Sequence, residues 1–185
     1  MTAYAQSFED VVRFHGHACP GLALGYRMAK AALERLSAER ADDEEIVAIS
    51  ENDSCAVDAL QCLSGCTFGK GNLIYRDYGK MVFTIYHRQS GKAVRVKSSR
   101  RQDDMKLAGM GLTPQSRDEM MQWMLTGPED DVIVLEDVHI PEPERAKIVD
   151  SVRCAGCGEL VMETRARLSK GEPLCPPCFE ARGAV

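Results

Sequence analysis

The sequence predicts an α+β core of mixed strand directions followed by a small cysteine-rich tail. Three observations carry that reading: apolar periodicities of 3.6 and 2 are interleaved along the first two thirds without a strict βαβ repeat; the cysteines fall into two separate groups; and a proline-rich stretch precedes the second group. At 185 residues the chain is long enough for one core of about 150 residues plus an appendage.

The elements follow in order. Pro20 opens a helix over about 20–37, because Leu22, Tyr26, Ala29, Leu33 and Leu36 recur at alternating spacings of four and three. Gly21 and Gly25 lie one turn apart on that helix and invite a close neighbour. Ile46–Ile49 reads as a strand, an acidic turn follows, and a second helix runs from about Ala56 to Ser64 with Gly65 as its cap. Met81–His87, with Met81, Phe83 and Ile85 on one face, and Ala93–Lys97 form a hairpin around Ser90-Gly91. A helix spans about Pro114 to Leu125, and Val132–Leu135 is a continuous apolar strand of the kind buried on both faces. Pro141-Glu142-Pro143-Glu144-Arg145 marks the end of the core, so the domains are expected at 1–150 and 151–185.

Composition narrows the function. The formal net charge of −5 argues against nucleic-acid binding through overall charge. No run approaches the length of a membrane span, and the N-terminus lacks signal-peptide character, so a cytoplasmic protein without membrane contact is expected. In that compartment eight cysteines point to metal or thiol chemistry rather than disulfides. Four (Cys19, Cys55, Cys62, Cys66) lie near the start and four (Cys154, Cys157, Cys175, Cys178) near the end, with none from Thr67 to Arg153.

The terminal set reads Cys154-Ala155-Gly156-Cys157, then 17 residues, then Cys175-Pro176-Pro177-Cys178. Two CxxC pairs at this spacing can offer four thiolates to one tetrahedral zinc. Strands at Leu160–Arg167 and Lys170–Leu174 around the Ser169-Lys170-Gly171 turn, then a helical turn at Phe179–Arg182, describe a zinc ribbon or treble clef. Its zinc is structural, since four thiolates close the shell.

Near the start, His15, His17 and Cys19 fall on one side of the chain if the stretch is extended. Cys19 sits where it can cap the first helix and be favoured as a thiolate, a candidate nucleophile or metal ligand. Cys55, Asp58 and Cys62 form a stripe on the second helix, extended by Cys66 if the last turn stays helical. If the stripe faces His17 and Cys19, nitrogen and sulfur ligands converge on a second divalent metal in the core. Taken alone, Cys55 reads as a core-filling residue. The Gly65–Asn72 loop fails as a phosphate loop, because only three residues separate Gly65 from Gly69-Lys70.

FHGHACPGLALGYRMA (14–29), DSCAVDALQCLSGCTFGKGNL (53–73), YGKMVFTIYHRQSGKAVRV (78–96) and the terminal quartet together resemble the family of proteins similar to the E-subunit of formylmethanofuran dehydrogenase. The resemblance implies a thioredoxin-like core with a mixed five-stranded sheet flanked by helices, a zinc-finger domain, and a homodimer. It implies a core site at His15, His17, Cys19, Asp58 and Cys66, with Cys62 in the matching stretch. It does not imply the dehydrogenase activity, which belongs to other, cofactor-bearing subunits.

Two further features stand beside these. Arg88, Lys92, Arg95, Lys97, Arg100 and Arg101 form a basic stripe without interleaved aromatics, and a solvated hairpin edge explains it as well as an acidic partner does. Met105, Met110, Met120, Met121 and Met124 suggest an adaptable apolar surface around the third helix. The expectation is a zinc-binding accessory protein to a redox or metalloenzyme; the alternative is a zinc-finger interaction or regulatory module, contacting protein or nucleic acid, on a dimerising core.

Overall fold

The computed structural model describes residues 6–99 and 116–183, and these form two compact units divided between Arg145 and Ala146. The first opens with a helix that the sequence did not predict, α1 (Phe8–His15). Ser7 starts it: the Ser7 hydroxyl accepts from the Asp10 amide at 3.2 Å, and Asp10 accepts from the Ser7 amide at 3.0 Å, the reciprocal pairing that satisfies the free donors of a first turn. Gly16, in the left-handed region at φ +96°, ends α1 and donates to the Val12 carbonyl. The His15–Cys19 segment is therefore a helix end and a turn, not an extended strand.

Helix α2 (Pro20–Leu36) follows, with Cys19 as its cap and proline at its first position. Leu22, Met28, Ala29 and Ala32 are sealed from solvent, and Tyr26 packs at the margin against Phe8 with ring centroids 5.5 Å apart. Strand β1 (Ile46–Ser50), α3 (Ala56–Ser64) and β2 (Leu73–Tyr75) come next, β2 pairing parallel to β1. β3 (Val82–His87) and β4 (Lys92–Ser98) form the expected hairpin, in the register Val82↔Lys97 to His87↔Lys92.

After α4 (Arg117–Thr126) and the single turn α5 (Glu129–Val132), β5 (Ile133–Val138) completes a mixed five-stranded sheet in the order β2-β1-β3-β4-β5. Within it only β1 and β2 run parallel. Phe83 and Ile85 of β3, Val94 and Val96 of β4, and Ile46 and Ala48 of β1 join the core that α2 and α3 enter. Met81 packs against the same cluster, so the alternation read from sequence points the right residues inward. Val47, Tyr86 and Ala93 bury a smaller cluster with Ile74, Val138 and Ile140.

One expectation is corrected. Val132–Leu135 is not a strand buried on both faces: Val132 ends α5, Ile133 alone of β5 is fully buried, and β5 is an edge strand antiparallel to β4. A short apolar run cannot by itself distinguish a central strand from a helix end continuing into an edge. Helix α4 begins at Arg117 with Ser116 as its cap; the Arg27 guanidinium of α2 donates to the Leu125 and Gly127 carbonyls, tying the end of α4 to α2. Met120, Met121 and Met124 pack against or within the core, while Pro114, Met105, Met110, Arg100 and Arg101 lie outside the described residues.

Among the described residues of the basic stripe, Arg88, Arg95 and Lys97 are paired with carboxylates. Arg95 pairs with Glu51 at 3.2 Å and Lys97 with Glu136 at 2.6 Å. The Arg88 side chain, 6% exposed, donates to the Glu44 carbonyl, the Glu142 carboxylate and the carbonyls of Pro143 and Glu144. One guanidinium thus holds the 142–144 backbone against the β3–β4 turn.

The second unit consists of two hairpins, β6 (Ser151–Arg153) with β7 (Leu160–Met162) and β8 (Arg167–Ser169) with β9 (Glu172–Leu174), then α6 (Pro176–Gly183). Lys170 and Gly171, at φ +52° and +85°, make the two-residue turn between β8 and β9. Leu174 and Cys154 are buried, a very small core for a free-standing unit.

Replacing Arg88 with alanine removes the shared donor of the Glu142 carboxylate and of the Pro143 and Glu144 carbonyls. The expected loss is about 2–3 kcal/mol in urea unfolding, with faster proteolytic cleavage within 139–145. Unchanged cleavage there would show that Arg88 does not hold the segment.

Candidate metal centres

The N-terminal centre is built by a close helix contact. A Cβ placed on Gly25 would lie 2.5 Å from the Ala56 Cα and carbonyl oxygen, so α2 and α3 approach at a distance only glycine permits. One turn earlier, a Cβ on Gly21 would be 3.6 Å from the Cys55 Cβ. The contact sets Cys55, at the start of α3, against the start of α2, where Cys19 is the cap. Cys19 is buried, and its sulfur accepts from the Leu22 amide at 3.4 Å. That donor and the positive end of the helix suit a sulfur that ligates a cation as thiolate.

The left-handed turn at Gly16 brings both imidazoles to the same place. One ligand atom from each of His15, His17, Cys19 and Cys55 can be chosen so that all four lie within 4.8 Å of one another, and the two imidazole rings are 4.5 Å apart. Asp58, one turn into α3, meets the His15 Nδ1 at 2.6 Å and is itself steadied by the Gln61 amide at 3.3 Å. With Nδ1 engaged, the nitrogen left to His15 is Nε2, which is buried and has no hydrogen-bond partner. A buried imidazole nitrogen with no partner is costly as it stands and suits a metal ligand. Two nitrogens and two sulfurs fit zinc or another borderline-soft divalent ion, with Asp58 orienting His15 from behind. The Cys55 thiol is pushed up, first by burial and then by its neighbour Cys19; a bound cation would reverse that pressure.

His15, His17 and Cys19 thus come together as the sequence suggested, and Asp58 stands behind them. Cys62 and Cys66 do not join them. The Cys62 thiol donates to the Gln6 side chain at 3.1 Å. Gly65 enters the left-handed region at φ +72°, so the helical stripe stops before Cys66, whose thiol is turned inward onto the Ile46 carbonyl at 3.4 Å. Burial pushes Cys66 up to about 11. Cys55, which sequence reasoning assigned to core filling, takes their place; its signal was the Gly21 and Gly25 pair, which called for a close neighbour without naming it.

In the second unit the sulfurs of Cys154, Cys157, Cys175 and Cys178 also lie within 4.8 Å of one another, Cys157 and Cys175 being 3.9 Å apart. A tetrahedral zinc with bonds of about 2.3 Å spaces its sulfurs about 3.8 Å apart, so the four fit that ion. Cys154 accepts from the Gly156 and Cys175 amides at 3.4 and 3.2 Å. Backbone donors, those of Cys157 and Cys175 foremost, bring Cys154 down to about 6, whereas hydrogen bonding with Cys175 pushes Cys178 up to about 12. Four sulfurs this close cannot all carry charge without a cation between them. A Cβ on Gly156 would be 3.0 Å from the Cys178 side chain, so the first knuckle packs tightly on the second.

The family model described as FmdE, molybdenum formylmethanofuran dehydrogenase operon, matches residues 14–153, and the prokaryotic dksA/traR C4-type zinc finger matches 147–182. A protein of Archaeoglobus fulgidus described as a "Probable S-adenosyl-L-methionine-binding protein" is 36% identical over 93% of this chain, which spans 52% of that relative's length. The crystal structure of a tungsten formylmethanofuran dehydrogenase FmdE-like protein from Syntrophus aciditrophicus superposes with a TM-score of 0.69 at 23% identity, covering 98% of each chain. That last likeness is one of fold.

Cys66 supplies a test of the core. Its thiol titrates near 9 when unfolded and near 11 when folded, so between those values unfolding releases a proton and stability falls as pH rises. The slope is up to about 1.4 kcal/mol per pH unit and is absent below about pH 8. Urea unfolding of wild type and Cys66→Ala from about pH 8 to 10.5 is expected to show the shallower decline in the variant; parallel declines would mean that Cys66 does not carry the effect.

Proposed function

The chain belongs to the FmdE family, and we propose that it is a zinc-binding accessory protein with two metal centres of different purpose. The tail ion is architectural: four thiolates leave no open position, and the buried apolar core of the second unit is too small to fold without it. The core ion, held by His15, His17, Cys19 and Cys55 with Asp58 behind His15, is the functional one. The observation that carries this reading is the buried, unpartnered Nε2 of His15, aligned by an Asp58 contact of 2.6 Å. Four protein ligands would fill a tetrahedral shell here too, so a bound ion would supply Lewis-acid polarisation of a ligand only where the exposed His17 gave up its position. The chain's own residues hold the His15 imidazole in one tautomer and fix the buried Cys19 sulfur at the helix end, while His17 faces solvent. Cys19 acts as ligand rather than free nucleophile in this reading, which its burial supports. The exposed Leu160, Met162, Leu168 and Phe179 of the tail favour its use as a contact surface in an accessory role.

A second component concerns a small molecule. The archaeal relative is described as binding S-adenosyl-L-methionine, and nearly all of this chain aligns with about half of it. We propose that the aligned half carries that capacity and that this chain shares it. The supporting observation is a cavity of about 370 Å³ that reaches Asp58 from the side of the sheet edge.

Zinc analysis of purified full-length protein tests the metal reading. Wild type is expected to hold two ions per chain, the Cys175→Ala/Cys178→Ala protein one, and the Cys19→Ala/Cys55→Ala protein one. Loss of all zinc from the tail variant while the core keeps its circular dichroism and cooperative unfolding would leave no core centre. Asp58→Ala is expected to retain the tail ion and loosen the core ion by about 10- to 100-fold in chelator competition. Unchanged competition would remove Asp58 from the centre.

A further inference from the structure

The cavity beside Asp58 has a definite chemistry. It opens between α3 and the edge strand β2, at the βαβ unit formed by β1, α3 and β2, where Ser50 and Tyr75 end the two parallel strands. Crevices at the carboxyl ends of parallel strands are recurrent ligand sites, because helix and strand diverge there and leave backbone and side chains to face a guest. Val57 and Leu73 line it with aliphatic groups, and Phe68 and Tyr75 with aromatic rings. Phe68 is 63% exposed, a large apolar group left to water at the lip of a cavity.

The charged residues lining it are Asp53 and Asp58, and among the described residues of its wall there is no lysine, arginine or histidine. One Asp58 oxygen serves His15 and the other accepts from Gln61, so the carboxylate is fixed in place. The Tyr75 hydroxyl is pushed upward, first by desolvation and then by the nearby carboxylates of Asp77 and Asp53. Aromatic faces carry negative quadrupole density and attract cations, most of all alkylated ones that surrender little hydration on entering. An anion or phosphate would meet two carboxylates and two aromatic side chains with no basic group among the lining residues to offset them.

Resting on the small-molecule reading above, we infer that this cavity is where the ligand's charge is read: it selects an onium cation, a sulfonium or quaternary ammonium centre on an apolar body, through Phe68, Tyr75 and Asp53. The site lies behind the metal centre and communicates with it through Asp58, which touches both.

S-adenosylmethionine and S-adenosylhomocysteine differ by one methyl group and the charge it confers, and so isolate the claim. Calorimetric titration of the zinc-loaded full chain is expected to show the sulfonium bound at least about tenfold more tightly than the neutral thioether. Phe68→Ala and Asp53→Asn are each expected to weaken the sulfonium by about 3- to 10-fold, narrow the discrimination, and leave zinc content and unfolding unchanged. Equal binding of the two compounds, or sulfonium binding untouched by both substitutions, would overturn the cavity assignment while leaving the small-molecule reading intact. Absence of sulfonium binding, with tetramethylammonium shifting the amide resonances of residues 53 and 68–75, would overturn that reading and retain the onium cavity. No response to either cation would overturn both.

Discussion

The N-terminal centre depends on one contact distance, that between α2 and α3 at Gly25 and Ala56. Any side chain on Gly25 would have to displace the backbone of α3, and with it Cys55 and Asp58. A helix pair this close converts two sequence-distant stretches into one site: the cap of α2 supplies Cys19, the start of α3 supplies Cys55, and the first turn of α3 supplies the carboxylate that fixes His15. The strands beneath serve this arrangement indirectly. β1, β3 and β4 present Ile46, Ala48, Phe83, Ile85, Val94 and Val96 to a continuous apolar core, against which α2 and α3 can lie side by side.

The two centres solve different problems with the same elements. In the tail, geometry is local: both knuckles and the intervening hairpin lie within a single short stretch, and the ion replaces an apolar core that so few residues cannot assemble. In the core, burial holds the fold, and the gathering of His15, His17, Cys19 and Cys55 is a by-product of helix ends and turns. This explains why one set is all sulfur in a closed shell, whereas the other mixes imidazole and thiolate, includes the exposed His17, and is backed by a carboxylate that also borders a cavity.

Reading the chain from sequence succeeded where information is local. The α2 face from Leu22 to Leu36, the β3–β4 hairpin and the α3 limits follow from periodicity, caps and turn residues acting over a few positions. It missed α1, whose signal was the short Ser7–Asp10 pairing, and it misread Val132–Leu135, where a helix end and an edge strand share one apolar run. It also extended a stripe from Cys55 to Cys66, which the left-handed Gly65 interrupts.

The sequence by itself determined that two thiol systems exist, that the terminal four could surround one tetrahedral ion, and that His15, His17 and Cys19 stand together at a helix start. Those are consequences of spacing along a few residues. Only the tertiary structure decided that Cys55 and not Cys62 or Cys66 meets them, and that Asp58 binds His15. The reason is that the neighbours of the Cys19 thiol far along the chain are set by how closely two helices pack and by where a glycine turns the backbone, quantities that no periodicity encodes.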